Sequence, residues 1–381
     1  MKVLHIIAGL SKKSGGPSRS SQGLVAALYK AGVDAWMWPL NGAKPWVQGV
    51  RCISGIVGFE QAERIPLPHF CQLKEFDLVH VHGIWDLRLH KIEVMCRKAG
   101  IPYVISPRGT LDPWALSVKR WKKMIALALY QRRDLKNAAA FHVTSAQEEK
   151  SVRAMGLTQL VILAPNGVDL PDVMPPRTNG GEVRTAIFLS RLHPGKGLLA
   201  LADAWARVQP KGWRMKVVGP DAYGHKAEVV ARLEQLGIRN QWEFVDMLDD
   251  VEKWSAYRGA DLLIHPSVSE NFGITIAEGL AAELPVIATK GAPWADLVER
   301  KCGWWIDLPG KEVERRGGEW KALDDALREA IEQSNNPNNR TILQEMGKRG
   351  RQLIEEKYTW QAVVENVKRG YEEIISSKRV K

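Results

Sequence analysis

Cysteine is scarce in this chain. There are four in 381 residues (Cys52, Cys71, Cys96 and Cys302), and no two stand at a paired spacing. That excludes a disulfide frame or a zinc site and fits free thiols in a reducing compartment. No apolar run approaches the roughly 20 residues that a membrane-spanning helix needs. The opening "MKVLHIIAGL" is a short apolar run followed by "SKKSGGPS". It lacks the longer apolar stretch and small-residue cleavage site of a signal peptide, and reads as a first buried strand. The expected address is the cytoplasm. No D-x-D pair occurs, so the metal-bridged diphosphate site that such a pair builds has no support, and metal independence is expected. Nor does a G-x-G-x-x-G follow a strand, which argues against a nicotinamide or flavin enzyme. Internal repeats and low-complexity tracts are also missing.

What is present points to two domains. The length exceeds one typical core, and 45% hydrophobic with 25% charged residues is an ordinary soluble composition. A formal charge of +11 is the unusual bulk property. It admits nucleic acid, an anionic membrane surface or phosphorylated small molecules as partners. The 15 tryptophans do not choose between these, because many lie beside core-like segments.

Short apolar strands alternate with helical segments, the pattern of parallel sheets covered by helices. "KVLHIIAG", "DAWMWPL", "DLVHVHG", "PYVISPR", "AAFHVTS" and "LVILAPNG" are strands of a first domain, residues 1–168. A helix follows "GGPS", with Pro17 at a first helical position and Gly32 after the last turn. "PNGVDLPDVMPPRTNGGE" breaks the pattern and marks a linker at 169–184. "RTAIFLSRL", "RMKVVGP", "QWEFVDM", "ADLLIHPS" and "LPVIAT" then build a second domain, residues 185–357. Two such α/β units joined by a turn-rich hinge are expected to form a cleft, where ligands usually bind. The last segment, about 358–381, is a long helix expected to pack back on the first domain.

Within "SENFGITIAEGLAAELPVIATKGAP", Glu270 precedes a helix running roughly from Ile274 to Ala282, and Glu278 lies inside it. The loop leaves the carboxyl end of a buried strand, where ligands of open parallel sheets gather. A helix N-terminus there offers free N–H groups and partial positive charge to a phosphate. Eight residues span about 12 Å, the scale of a sugar, a pyrophosphate and a ribose laid end to end. The two acids are then expected to hold hydroxyls at opposite ends. The plain alternative is a surface helix with Glu270 as cap and Glu278 as a solvated acid. "FLSRLHPGKG" adds Arg191 and Lys196 on a glycine-rich turn, two cations suited to the charge on a nucleotide leaving group.

"SRLHPGKG" followed by "PSVSENFGITIAEG" resembles retaining glycosyltransferase family 4, and the E-x-F-G-x-x-x-x-E element matches from Glu270 to Glu278. "GGPSRSSQGLVAALYKAG", "VHVHGIW" and "APNGVD" look like its glycine-loop helix, acceptor-side histidine strand and linker. The resemblance implies a GT-B fold, two Rossmann-like α/β domains facing across a cleft. It implies that Glu270 holds the donor sugar, Glu278 the ribose, and Arg191 with Lys196 the diphosphate. Backbone groups at Phe272, Gly273, Ile274 and Thr275 would meet the sugar and phosphates, Gly16 would let a first-domain loop approach the donor, and His82 would lie near the anomeric carbon. Configuration would be retained without a settled protein nucleophile, and no carboxylate pair of the glycosidase type is evident. The donor would be a UDP- or GDP-sugar and no cofactor is called for. "HGIW", "SPRGTLDPWAL" and "GAPWADL…CGWWI" look like bacterial polysaccharide members, so a glycan or lipid-linked glycan is the expected acceptor.

Ser190 and Asp246 stand where the family often has glycine, and Asp246 leaves the nucleobase open. His80 and His82, two apart on one strand, are expected on opposite faces and so as a poor chelating pair, with His80 structural. Arg108 suits an acceptor phosphate or a plain surface salt bridge. "SVKRWKKMIALALYQRRDLKNA" sets Lys119, Arg120, Lys122, Lys123, Arg132, Arg133 and Lys136 around an apolar middle with Trp121. It is either a helix for an anionic membrane surface or a packed helix with a solvated basic face. Two rival functions remain, a sugar-nucleotide epimerase of the same fold and a non-catalytic basic binding protein. Nucleic acid is not an expected partner, because it leaves Arg191, Lys196, Glu270 and Glu278 unexplained.

Overall fold

The computed structural model describes residues 1–11, 16–53, 73–178, 183–309, 318–335 and 341–379. Cys71 and the end of the proline-rich linker, 179–182, lie outside them; Cys52, Cys96 and Cys302 are free thiols. The chain divides into two compact units, Met1–Asp169 with Tyr358–Lys381, and Leu170–Lys357.

The first unit holds a six-stranded, wholly parallel sheet in the order β2-β1-β3-β4-β5-β6. Its strands are β1 (Lys2–Ile7), β2 (Asp34–Pro39), β3 (Leu78–His82), β4 (Tyr103–Ser106), β5 (Ala140–Val143) and β6 (Leu160–Leu163). β3, β4 and β5 are buried along their whole length. That is why they read as unbroken apolar runs rather than alternations. The helix Trp360–Arg379 belongs to this unit. Val363, Val364, Val367, Tyr371 and Ile374 sit in the same core as Leu24 and Leu28 of the helix Gly16–Lys30. Its first residue is seated by two glycines: a Cβ on Gly23 or on Gly167 would lie 2.2 Å from the Trp360 indole. The indole N–H donates to Asp169 Oδ1 at 2.6 Å.

The second sheet is also six-stranded and parallel, in the order β12-β11-β10-β7-β8-β9. Its strands are β7 (Arg184–Leu189), β8 (Trp213–Val218), β9 (Trp242–Val245), β10 (Leu262–His265), β11 (Val286–Thr289) and β12 (Gly303–Ile306). β12, the "GWWI" run, is half-buried at the sheet edge and was not expected as a strand. Both sheets reverse direction of growth once. The chain starts each in the middle, builds to one side, then crosses to the other, so the switch points lie between β1 and β3 and between β7 and β10. Ligands of open α/β sheets bind outside the carboxyl ends of strands at such points.

The basic segment is helical over Arg120–Ala126 and Arg132–Asn137, joined by a π-helical turn at Leu127–Gln131. Trp121 is 64% exposed and Leu129 77%. The apolar middle of this segment is therefore on the surface rather than in a core.

Candidate active site

In the second unit, the turn after β7 carries Lys196 and the loop after β10 carries Glu270. Lys196 Nζ contacts Glu270 Oε1, and the same oxygen accepts the His265 Nε2–H at 2.8 Å. An ionised carboxylate only accepts, so His265 must donate here. Its other nitrogen, Nδ1, is buried without a partner. Burial pushes the Glu270 carboxyl up. The Lys196 charge and the His265 hydrogen bond outweigh it and hold the group well below the usual carboxylate range. The two side chains assigned to separate parts of a ligand thus also position each other.

Backbone bonds fix this geometry. Glu270 N–H donates to Gly291 O at 2.8 Å, and Val268 N–H to Gly195 O at 3.1 Å. Gly197 must be glycine at its place, because φ is +75° and a Cβ would lie 2.2 Å from Pro266 O. Gly273, at φ +81°, opens the helix Ile274–Ala281 without any side-chain cap. Glu270 is therefore not the cap. Phe272 is buried against Trp294, whose indole N–H donates to Phe272 O at 2.5 Å. Ile274 is half-buried and Thr275 buried at the first helical turn, ahead of the bond that Ile276 N–H donates to Gly273 O at 2.9 Å.

Glu278 is 6% exposed, not a solvated helix acid. Lys253 Nζ donates to Oε1 at 2.6 Å and the Tyr257 hydroxyl to Oε2 at 3.0 Å. Each oxygen keeps acceptor capacity beyond these bonds. Lys253 and Tyr257 stand four apart on the helix Asp250–Arg258. Neither they nor His265 were singled out from the sequence. Only the i, i+4 spacing hinted at a shared face, and nothing local tied that face to Glu278. Arg191 is exposed and pairs with no carboxylate among the described residues.

The switch point of the first unit is built differently. His80 and His82 do not point to opposite faces. Residues two apart on a strand share a face, and the two rings stack with centroids 4.3 Å apart. His5 of β1 stacks on His82 as well. Acceptor-only and donor-only groups fix every tautomer. Ala164 O accepts from His142 Nε2–H at 3.0 Å, so His142 Nδ1 accepts from the Ser106 hydroxyl at 2.9 Å. Ser106 Oγ then accepts from His80 Nε2–H at 2.7 Å, and His80 Nδ1 from the Tyr371 hydroxyl at 2.5 Å. A second chain starts at Arg108, whose Nη2 donates to His82 Nδ1 at 2.9 Å. His82 Nε2–H therefore donates to His5 Nδ1 at 3.0 Å, and His5 Nε2–H is left buried and unpartnered. Burial is the largest cause holding all four imidazoles neutral; the Arg108 charge adds to it in each, and neighbouring histidines add to it in His5, His80 and His82. His5 and His142 are lowered to about 3.

Among the described residues, Arg108 makes no surface salt bridge. Besides His82 it donates to Ser20 Oγ and Asn166 Oδ1, both at 3.0 Å, and it sits in the left-handed region at φ +58°. Gly16 is exposed at the start of its helix, and nothing lies within 4 Å of where its Cβ would be.

Among the described residues, two groups bring three possible metal-ligand atoms within 4.8 Å of one another, His5 with His80 and His82, and His90 with Glu93 and Asp134. In the first group, His80 and His82 spend both ring nitrogens on hydrogen bonds, and a guanidinium adjoins His82, which suits a cation poorly. In the second, Asp134 is already paired with Arg97 at 2.8 Å. Burial and the neighbouring Asp134 push the Glu93 carboxyl well up, towards its neutral form.

Two parallel Rossmann-like units, each with a polar cluster at its switch point, define the GT-B class. Over 98% of this chain and 100% of the other, the fold matches Anabaena HepE, crystallised with UDP, at a TM-score of 0.75 and 18% identity. Residues 15–167 match the family described as glycosyl transferase 4-like domain, and residues 174–352 match glycosyl transferases group 1. The chain belongs to the GT-B glycosyltransferases related to family 4. It is 24% identical to the GDP-mannose:cellobiosyl-diphosphopolyprenol alpha-mannosyltransferase of Komagataeibacter xylinus, over 79% of this chain and 78% of that one. It is 34% identical to the lipopolysaccharide glucosyltransferase of Escherichia coli strain K12, over 31% of this chain and 28% of that one. Curated relatives matched at 30% identity or more are covered over only about a third of their length.

Proposed function

We propose that this chain is a retaining glycosyltransferase that moves a sugar from a UDP- or GDP-sugar to a growing, lipid-linked surface glycan, lipopolysaccharide or exopolysaccharide. The observation that carries the proposal is the arrangement of Lys196, Glu270 and His265 at the switch point of the second unit, with buried Glu278 further along the adjoining helix. Glu270, kept ionised, accepts hydrogen bonds from donor-sugar hydroxyls. Glu278 uses its remaining lone pairs on the ribose. Arg191 and Lys196 neutralise charge as it grows on the departing diphosphate, the form of catalysis that preorganised charge supplies. No metal is required in this account. The acceptor hydroxyl attacks on the leaving-group face and passes its proton to the departing phosphate oxygen, so configuration at the anomeric carbon is kept. In the first unit, Arg108 orients His82 on the acceptor side and Gly16 leaves room for the ligand.

The lipid-linked acceptor draws support from the activities for which the K. xylinus and E. coli relatives are named and from the basic segment. Exposed Trp121, Met124, Ile125 and Leu129 adjoin exposed Lys119, Arg120, Lys122, Arg132 and Arg133. Apolar side chains beside cations suit the inner face of an anionic membrane, which makes the enzyme cytoplasmic and peripheral. No described helix is long and apolar enough to cross a membrane.

The test is incubation with UDP- and GDP-sugars and a polyprenyl-diphosphate glycan, in EDTA, with NMR of the product linkage. An α-linked product from an α-linked donor is expected. An altered nucleotide sugar without transfer would replace this reading by the epimerase. Flotation with phosphatidylglycerol vesicles is expected to carry wild type and lose Trp121→Ser/Leu129→Ser; no flotation of wild type removes the membrane contact.

A further inference from the structure

The turn that carries Arg191 and Lys196 holds a third polar side chain, His193. Its Nδ1 accepts the Gly195 N–H at 3.1 Å and so caps the short 3-10 turn Pro194–Lys196. A nitrogen that accepts carries no proton, so in the neutral ring the proton must be on Nε2. That Nε2–H has no acceptor among the described residues. The turn itself is rigid: Gly195 O accepts from Val268 N–H, and Leu192 exchanges backbone bonds with the loop after β8, accepting from Ala222 N–H at 3.0 Å and donating to Pro220 O at 2.9 Å. Tyr223 of that loop is 92% exposed, held at φ +65°, and meets the His193 ring edge-on at 5.8 Å.

Resting on the donor-site reading above, we propose that His193 is a third ligand of the nucleotide diphosphate, a neutral imidazole whose Nε2–H donates to a phosphate oxygen beside Arg191 and Lys196. Protonating the ring would place a hydrogen on Nδ1 against the Gly195 N–H and break the cap. Burial, then Arg191, Lys196 and His225, also lower the basicity of His193. Both effects keep it neutral while leaving a directed donor. A neutral donor adds a phosphate hydrogen bond without a third charge to desolvate.

Two isosteres separate the ligand role from the cap. His193→Asn keeps an acceptor at the Nδ1 position and loses the distal donor. His193→Gln keeps a donor near the Nε2 position and loses the cap. Titrating wild type and both variants with UDP, GDP, uridine and guanosine, alongside thermal unfolding, reads both roles. For the nucleotide that wild type binds, His193→Asn is expected to weaken the diphosphate about five- to tenfold, leave the nucleoside unchanged and keep the wild-type midpoint. His193→Gln is expected to melt earlier yet hold the diphosphate more tightly than His193→Asn. Wild-type diphosphate affinity in His193→Asn, or equal losses for nucleoside and diphosphate, would overturn the inference. If wild type binds neither diphosphate, the donor-site reading falls first and this inference with it.

Discussion

Both sheets place buried polar side chains at their switch points, yet the two clusters solve burial in opposite ways. In the first unit, four histidines are kept uncharged and joined by one-directional hydrogen bonds that end on a carbonyl or start from a guanidinium. In the second, an ionised carboxylate is held against a lysine and accepts a hydrogen bond from a histidine, and Arg191 is left exposed. Neutral rings joined this way hold a shape but cannot neutralise an anion. The charged cluster can, because the cost of burying each ion is offset by its partner. The same topology thus supplies a stiff wall in one unit and an electrostatic site in the other.

The contrast is most strained by acid. His5, His80, His82 and His142 each have a folded pKa far below the unfolded value near 6.5, so below pH 6.5 the unfolded chain binds protons that the folded chain refuses. Stability is then fully present above that pH and lost as pH falls, by about 1.4 kcal/mol per histidine per pH unit, or about 5.5 kcal/mol per unit for the four together. Glu270 is also held below its unfolded value, but it starts from a carboxylate's pKa, so its contribution is full above a pH of about 4.5 and is lost only as pH falls from there through the depressed folded pKa. Hydrogen exchange at pH 7.5 and 5.5, corrected for intrinsic rates, is therefore expected to show β3–β5 opening before β7 and β10. Equal loss in both sheets would break the comparison.

A smaller effect tests the charged cluster. Lys196→Met leaves Glu270 buried with only His265, at a cost of about 2–4 kcal/mol near pH 7. Without the lysine, burial raises the Glu270 pKa, so the folded variant takes up a proton more readily than the unfolded chain does. The stability deficit should shrink between pH 7 and 4, as urea unfolding at each pH will show. Tyr257→Phe is smaller again: it removes one hydrogen bond from Glu278 Oε2, about 1 kcal/mol, and is expected to weaken nucleoside binding about fivefold. Calorimetry showing unchanged nucleoside affinity would detach Glu278 from the ribose.

Much of this was legible in the sequence, for identifiable reasons. Strands buried on both faces are continuous apolar runs and stood out; the partly exposed edge strands β6 and β9 stood out as well, and of the twelve described strands only the edge run "GWWI" did not. Glu270, Arg191 and Lys196 stand out as candidates because loops after strand ends carry them, and Glu278 because it follows Glu270 at a fixed spacing on the adjoining helix. The support of Glu278 by Lys253 and Tyr257, and of Glu270 by His265, arises from elements that only folding brings together. The histidine cluster was misjudged by a simple periodicity, since alternation places residues 80 and 82 on one face. Its other members, His5, His142 and Tyr371, come from strands and a helix far apart in the chain.

The donor site is tested most directly by thermal unfolding with saturating UDP, GDP, ADP and CMP, with and without EDTA. A ligand at about a hundred times its dissociation constant adds roughly 2.7 kcal/mol to the folded state. The predicted result is a raised midpoint with UDP or GDP that survives EDTA and is lost in Glu278→Gln. No shift with any nucleotide, or a shift abolished by EDTA, would contradict it.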